Sequence, residues 1–101
     1  MLVAHGDDER PVGFAELDAR DGVVNACYVD PTEHGRGVGR ALMDAIERAA
    51  RAEGLRQLTL DASLNAVPFY RALGWRETGP ARHELAPGAW LECIAMKRSL
   101  A

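Results

Sequence analysis

The sequence predicts a mixed α+β fold, one sheet of about six strands carrying two helices. Three observations predict it. Three short apolar runs near the start are separated by polar turns, which reads as an antiparallel meander. A long amphipathic helix then starts directly out of an arm with glycines at 35, 37 and 39. Another strand follows that helix, so the strands on either side of it should be parallel, with a right-handed crossover. A chain of 101 residues is enough for one domain, 1–101, with one modest core.

Leu2 to His5 is a short apolar run and the first strand. Gly6 to Pro11 is a polar turn, and Val12 to Leu17 completes a hairpin. Asp18 to Gly22 turns again into Val23 to Val29, a β-branched strand ended by Asp30-Pro31. In the first helix Val38, Leu42, Ala45, Ile46 and Ala49 recur at helical spacing and form an apolar face, while Asp44, Glu47, Arg48 and Arg51 point elsewhere. Gly54 stops it in the C′ position. Gln57 to Asp61 is a strand by alternation. Ser63 and Asn65 are both candidate N-caps for a second helix running to about Leu73, with Pro68 tolerated in its first turn and Gly74 ending it. Trp75 to Thr78 is a short strand. Gly79 to Gly88 holds two prolines and two glycines and reads as a loop. Trp90 to Lys97 is the last strand, antiparallel to the one at Trp75, and Ser99 to Ala101 should fray.

Composition excludes some classes of function. The net charge is −3 with both signs scattered, so there is no basic surface to favour nucleic acid or an anionic membrane. Cys27 and Cys93 lie far apart in apolar runs and read as reduced core thiols. His5, His34 and His83 show no metal-ligand spacing, so no metal is expected. No run approaches transmembrane length and the start lacks a signal-peptide pattern, which places the protein in the cytoplasm.

The chemistry concentrates at Gly35-Arg36-Gly37-Val38-Gly39-Arg40. Glycines at alternate positions let the backbone curl and let a ligand touch the main chain. Successive N–H groups running into a helix N-terminus make a cradle for an anion such as a diphosphate. The plainer alternative is a flexible turn ahead of a helix. A dinucleotide fingerprint fails because Arg40 holds the third glycine position and the preceding strands form hairpins. A P-loop fails because no Gly-Lys-Ser/Thr follows.

Four features in order resemble the GCN5-related N-acetyltransferase (GNAT) family, over Val23 to about Lys97. They are the strand ending Tyr28-Val29-Asp30-Pro31; Gly35-Arg36-Gly37-Val38-Gly39, similar to the family's pyrophosphate arm; Ala62-Ser63-Leu64-Asn65-Ala66-Val67-Pro68-Phe69-Tyr70; and Leu73-Gly74-Trp75 in the place of Leu-Gly-Phe. Three departures stand beside the match. His34 sits where the family prefers Gln or Arg. Ser63 stands seven residues before Tyr70, where Asn is common, and Asn65 appears instead. The family's first strand and two helices are missing ahead of the meander, so the resemblance implies a GNAT-like fold short at its N-terminus, with the site completed by another subunit or the domain truncated.

The resemblance implies acetyl-CoA as cosubstrate and transfer of its acetyl group to a primary amine of a small molecule or a protein. The diphosphate would sit on the amides from Gly35 to Arg40, with Arg36 and Arg40 adding charge-assisted contacts or serving as solvated surface arginines. Cys27, Tyr28 and Val29 would offer backbone hydrogen bonds to the pantetheine arm, and an N–H near Val29 would hold the oxyanion. Ser63 and Asn65 are both candidates for a further cofactor contact. Tyr70 matches the family's acid; a phenol with a pKa of about 10 stays protonated near neutrality and can give its proton to the leaving thiolate. The base is open among Asp61, expected at a strand end facing the cleft, Glu16, Glu92 and a water chain. Trp75 and Trp90 read as core or interface. A sheet side left uncovered should pair with a second copy, so a homodimer is expected. The alternative function is a non-catalytic module that binds coenzyme A or serves as an interaction domain.

Overall fold

A computed structural model describes residues 2–5, 11–33, 35 and 37–100. It contains a six-stranded sheet ordered β1-β2-β3-β4-β6-β5. The strands are β1 (Leu2–His5), β2 (Pro11–Asp18), β3 (Val23–Val29), β4 (Gln57–Ser63), β5 (Arg76–Ala86) and β6 (Ala89–Ser99). The helices are α1 (Val38–Ala52) and α2 (Val67–Ala72), with short 3-10 turns at Pro31–Glu33 and Leu64–Ala66. The meander, the crossover and the second helix stand as the sequence predicts. The turn expected over Gly6 to Arg10 lies outside the described residues. Among the described residues no helix is long and apolar enough to cross a membrane.

β3 and β4 are parallel, but they are in register only at Val23 and Thr59. Beyond that pair the edge of β3 that faces β4 has no strand partner among the described residues. A bulge explains where the strands part: Glu16 pairs with Ala26 and Leu17 with Val24, leaving Asn25 without an opposite residue. An extra residue bends and over-twists its strand. β4 continues along β6 to Ser63, opposite Cys93. The sheet therefore opens into a split at the C-terminal ends of β3 and β4.

The core lies between α1, α2 and one sheet face. Met43, Ile46, Leu58, Trp75 and Met96 are its largest fully buried side chains. The buried face of α1 is Leu42, Met43, Ile46, Glu47 and Ala50, rotated from the predicted stripe, with Ala45 and Ala49 half-buried. Glu47 is thus not on the solvent side. Its Oε1 takes Arg98 Nε at 3.4 Å and Arg51 Nη2 at 3.7 Å, and these cations compensate its burial. α1 ends as expected, with Gly54 at φ 79°.

Three other expectations are corrected. Gly79 to Gly88 is not a loop: β5 runs through to Ala86 and pairs with β6 to Ala89. β5 is an edge strand, where a proline such as Pro80 need not donate to a second neighbour, and its irregularities are taken up by bulges at Glu77/Gly79 and Glu84/Ala86. Ser99 and Leu100 do not fray; Leu100 is buried and its N–H donates to the Arg56 carbonyl at 2.9 Å. Ala101 lies outside the described residues. Neither Ser63 nor Asn65 caps α2, whose N-cap is Ala66: Ser63 precedes a 3-10 turn without a side-chain capping bond, and Asn65 sits inside that turn.

Candidate functional site

A cavity of about 600 Å³ occupies the split, on the helix side of the sheet. One wall is β3, through Cys27 and Val29. The opposite wall is the end of β4 and the start of α2, through Ser63, Asn65, Ala66, Phe69 and Tyr70. The glycine arm and the first turn of α1 close one end, with Gly35, Gly37, Val38, Gly39 and Arg40.

The arm takes its shape from its glycines. Gly35 and Gly37 have φ of 82° and 80°, in the left-handed region that side chains disfavour. Gly37 is the N-cap of α1 and, as a glycine, contributes no side-chain capping bond. The first bond of the helix runs from the Ala41 N–H to the Gly37 carbonyl at 3.0 Å, so the amides of Val38, Gly39 and Arg40 precede it and have no intrahelical partner. No acidic residue stands in this first turn. Gly39 serves a different purpose. A Cβ there would meet Phe69 Cζ at 3.0 Å, so its lack of a side chain lets α1 approach α2.

Tyr70 is buried, with its ring edge-on to Phe69 at 5.1 Å and to Trp75 at 5.8 Å between centroids. Burial first, and then the Cys27 thiol beside it, push its phenol well above the ordinary range. Burial likewise raises the Cys27 thiol, partly offset by its interaction with Tyr70. Both groups therefore stay protonated at neutral pH. Cys27 and Cys93 are free thiols.

The cavity brings together Cys27, Val29, Gly35, Gly37, Val38, Gly39, Arg40, Ser63, Asn65 and Tyr70 of the residues expected from sequence. Arg36, and His34 beside it, lie outside the described residues. Tyr28 is not among the lining side chains: it alternates to the other sheet face, half exposed against Phe14 at 5.8 Å between centroids. Glu33, Ala66 and Phe69 line the cavity and were not anticipated. Ala66, Phe69 and Tyr70 do stand three and four apart, a spacing that places them on one helical side. Asp61, expected at a strand end facing the cleft, instead lies within β4 and lines a second cavity, because β4 continues to Ser63 and its core positions are Leu58, Leu60 and Ala62; Glu16 and Glu92 line neither cavity.

The residues fit an extended phosphate-bearing thioester. The first-turn amides and Arg40 suit the diphosphate, the free edge of β3 suits the amide arm, and the buried phenol lies farther along. Glu33 lines the same cavity.

The profile of the acetyltransferase (GNAT) domain matches residues 1–100. An aminoglycoside N(6′)-acetyltransferase type 1 from Stenotrophomonas maltophilia is 35% identical over 92 residues, covering 77% of this chain and 60% of that protein. The crystal structure of a GCN5-related N-acetyltransferase from Rhodopseudomonas palustris superposes with a TM-score of 0.86 at 36% identity, over 93% of this chain and 57% of that one. A phosphinothricin acetyltransferase from Sinorhizobium meliloti, solved in complex with acetyl-CoA, gives 0.75 at 26% identity, over 98% of this chain and 60% of that one. The chain thus spans about three fifths of the length of each of these proteins.

Proposed function

This chain belongs to the acetyltransferase (GNAT) family, and from that premise we propose that it moves an acetyl group from acetyl-CoA to a primary amine of a small molecule or protein. One observation carries the reading: a helix N-terminus that opens on glycine and a buried tyrosine line the same cavity in the split between two parallel strands. Bound acetyl-CoA supplies an activated acyl carbon on a thiol leaving group. The chain's own residues do the rest. The amides from Gly35 to Arg40 hold the diphosphate, with Arg40 adding charge and Arg36 assigned the same task from sequence. The backbone of Cys27, Tyr28 and Val29 orients the pantetheine arm along the unpaired edge of β3, and an N–H near Val29 stabilises the oxyanion. Ser63, whose side chain makes no capping bond, and Asn65 hold the arm from the opposite wall. As the new C–N bond forms and the C–S bond breaks, Tyr70 gives its proton to the sulfur and recovers one from solvent.

The protein is placed in the cytoplasm, where free thiols such as Cys27 and Cys93 persist. The exposed Leu85, Trp90 and Leu91 on the β5–β6 hairpin suit a homodimer contact, which light scattering at micromolar concentration would reveal or refute. The function is tested by calorimetry with acetyl-CoA followed by thiol release over a panel of amines. Binding with turnover is expected. Binding without release across the panel would favour a non-catalytic coenzyme A-binding module, and no binding at millimolar cofactor would overturn both readings.

A further inference from the structure

Tyr70 stands in the middle of a chain of ring contacts. Trp75 is almost wholly buried, and its indole meets the Tyr70 ring edge-on at 5.8 Å between centroids. The Trp75 N–H also donates to the Tyr70 carbonyl at 3.1 Å, so this neighbour is anchored in the core through ring and backbone alike. The second aromatic neighbour is Phe69, at 5.1 Å and an interplanar angle of 71°. Phe69 is 38% exposed, so burial alone does not fix it. Its far edge is seated on α1. A Cβ on Gly39 would lie 3.0 Å from Phe69 Cζ and 3.2 Å from Phe69 Cε1. Val29 of β3 flanks the same point, with its Cγ2 3.5 Å from that Cβ position. Gly39, Val29, Phe69 and Tyr70 all line the helix-side cavity.

The seat is too tight for a methyl group unless Phe69 gives way. Gly39 differs here from Gly35 and Gly37. It lies inside α1, where alanine is a better helix former than glycine, so what alanine brings is bulk against the ring. Phe69 and Tyr70 are consecutive in α2, a helix of six residues. A push on one ring therefore reaches the other through the shared backbone and through the edge contact. A proton donor must stand within hydrogen-bond reach of the atom it serves. A misplacement of about 1 Å can slow a reaction by about 100-fold.

Resting on the acetyl-transfer reading above, we infer that Phe69 is a positioning residue: seated on the bare backbone of Gly39, its ring sets the place of the Tyr70 phenol. Gly39 then has two tasks, an amide for the diphosphate and an empty side-chain position for Phe69. Through this ring the helix that seats the phosphates bears on the helix that carries the acid.

The test uses the whole chain and reads Tyr70 both without and with turnover. The first readout is NMR of the protein carrying isotope-labelled tyrosine rings, with no cofactor added. The sequence holds two tyrosines, Tyr28 and Tyr70, and Tyr70→Phe assigns their signals. Gly39→Ala should move the Tyr70 signal. In a Phe69→Leu background, where the shorter side chain clears the added methyl, the same change should leave Tyr70 in place. The second readout is kcat for thiol release with the fastest amine of the panel above, beside acetyl-CoA affinity by calorimetry. Gly39→Ala should lower kcat about tenfold and hold affinity within about threefold, because alanine keeps the amide. In Tyr70→Phe the same change should cost nothing further, since the hydroxyl it displaces is gone. Alanine and leucine both suit a helix, and circular dichroism checks that each variant folds. A Tyr70 signal that Gly39→Ala leaves unmoved overturns the inference, and so does one that moves equally in both backgrounds. An equal loss of kcat with and without the Tyr70 hydroxyl also overturns it, because Gly39 would then act at the phosphates alone. The expected signal shifts in a protein that turns over no amine keep Phe69 as the residue that places Tyr70 and refute acetyl transfer.

Discussion

The two cavities sit on opposite faces of one sheet and are made of different material. The helix-side cavity joins a glycine arm and the open edge of β3 to Phe69 and the buried phenol of Tyr70. The other is built from side chains, Asp61, His83 and Lys97, gathered from three strands. Backbone suits a cosubstrate whose shape is constant, because amides recognise phosphate and peptide-like groups wherever the chain can curl.

The difference can be broken most sharply at Gly37. A Cβ there meets nothing within 4 Å among the described residues, so Gly37→Glu should send a carboxylate into the helix mouth. Acetyl-CoA binding should weaken by 100-fold or more on the order of two like-charge contacts, measured by calorimetry, while the positive φ costs about 1 kcal/mol of stability. Next in size is Tyr70→Phe, which should leave acetyl-CoA affinity intact and lower kcat by about 100-fold. A loss of affinity with kcat preserved would move Tyr70 from chemistry to packing.

A change behind both cavities should spare both. Glu47→Ala leaves Arg98 and Arg51 without their buried partner and should cost about 1–2 kcal/mol in urea unfolding, because Arg98 is partly exposed. Acetyl-CoA affinity, corrected for the folded fraction, should not move. The smallest effect concerns pH. Cys27 and Tyr70 both have raised values in the folded protein, so the unfolded chain gives up these protons first. Their contribution is therefore fully present below about pH 7.5, where a free thiol begins to ionise, and stability should fall as pH rises above it. Tyr70→Phe should flatten that fall, read from urea midpoints between about pH 8 and 11.

Legibility in the sequence followed the same division. Gly35 and Gly37 were readable because only glycine adopts a φ near 80° without strain, so the spacing itself reports a curled main chain. The limits of β3 were readable because Val23 to Val29 is bounded by a turn and by Asp30-Pro31. Glu47 was misread because its burial depends on Arg98, which comes from β6, far along the chain. The segment from Gly79 to Gly88 was misread because proline and glycine signal a loop locally, whereas an edge strand tolerates both once a long partner is present. Asp61 was suspected as a lone carboxylate. Its pairing with His83 depends on a bulged hairpin returning over the sheet, for which no local pattern exists.

The central claim is that acetyl-CoA lies in the split with its diphosphate on the first turn of α1. A crystal structure of the chain with acetyl-CoA tests it most directly. The account expects phosphate oxygens within hydrogen-bond distance of the amides from Gly37 to Arg40, the pantetheine arm along Cys27 to Val29, and the sulfur facing Tyr70. Cofactor bound elsewhere, or none bound while the glycine arm keeps this conformation, would contradict it.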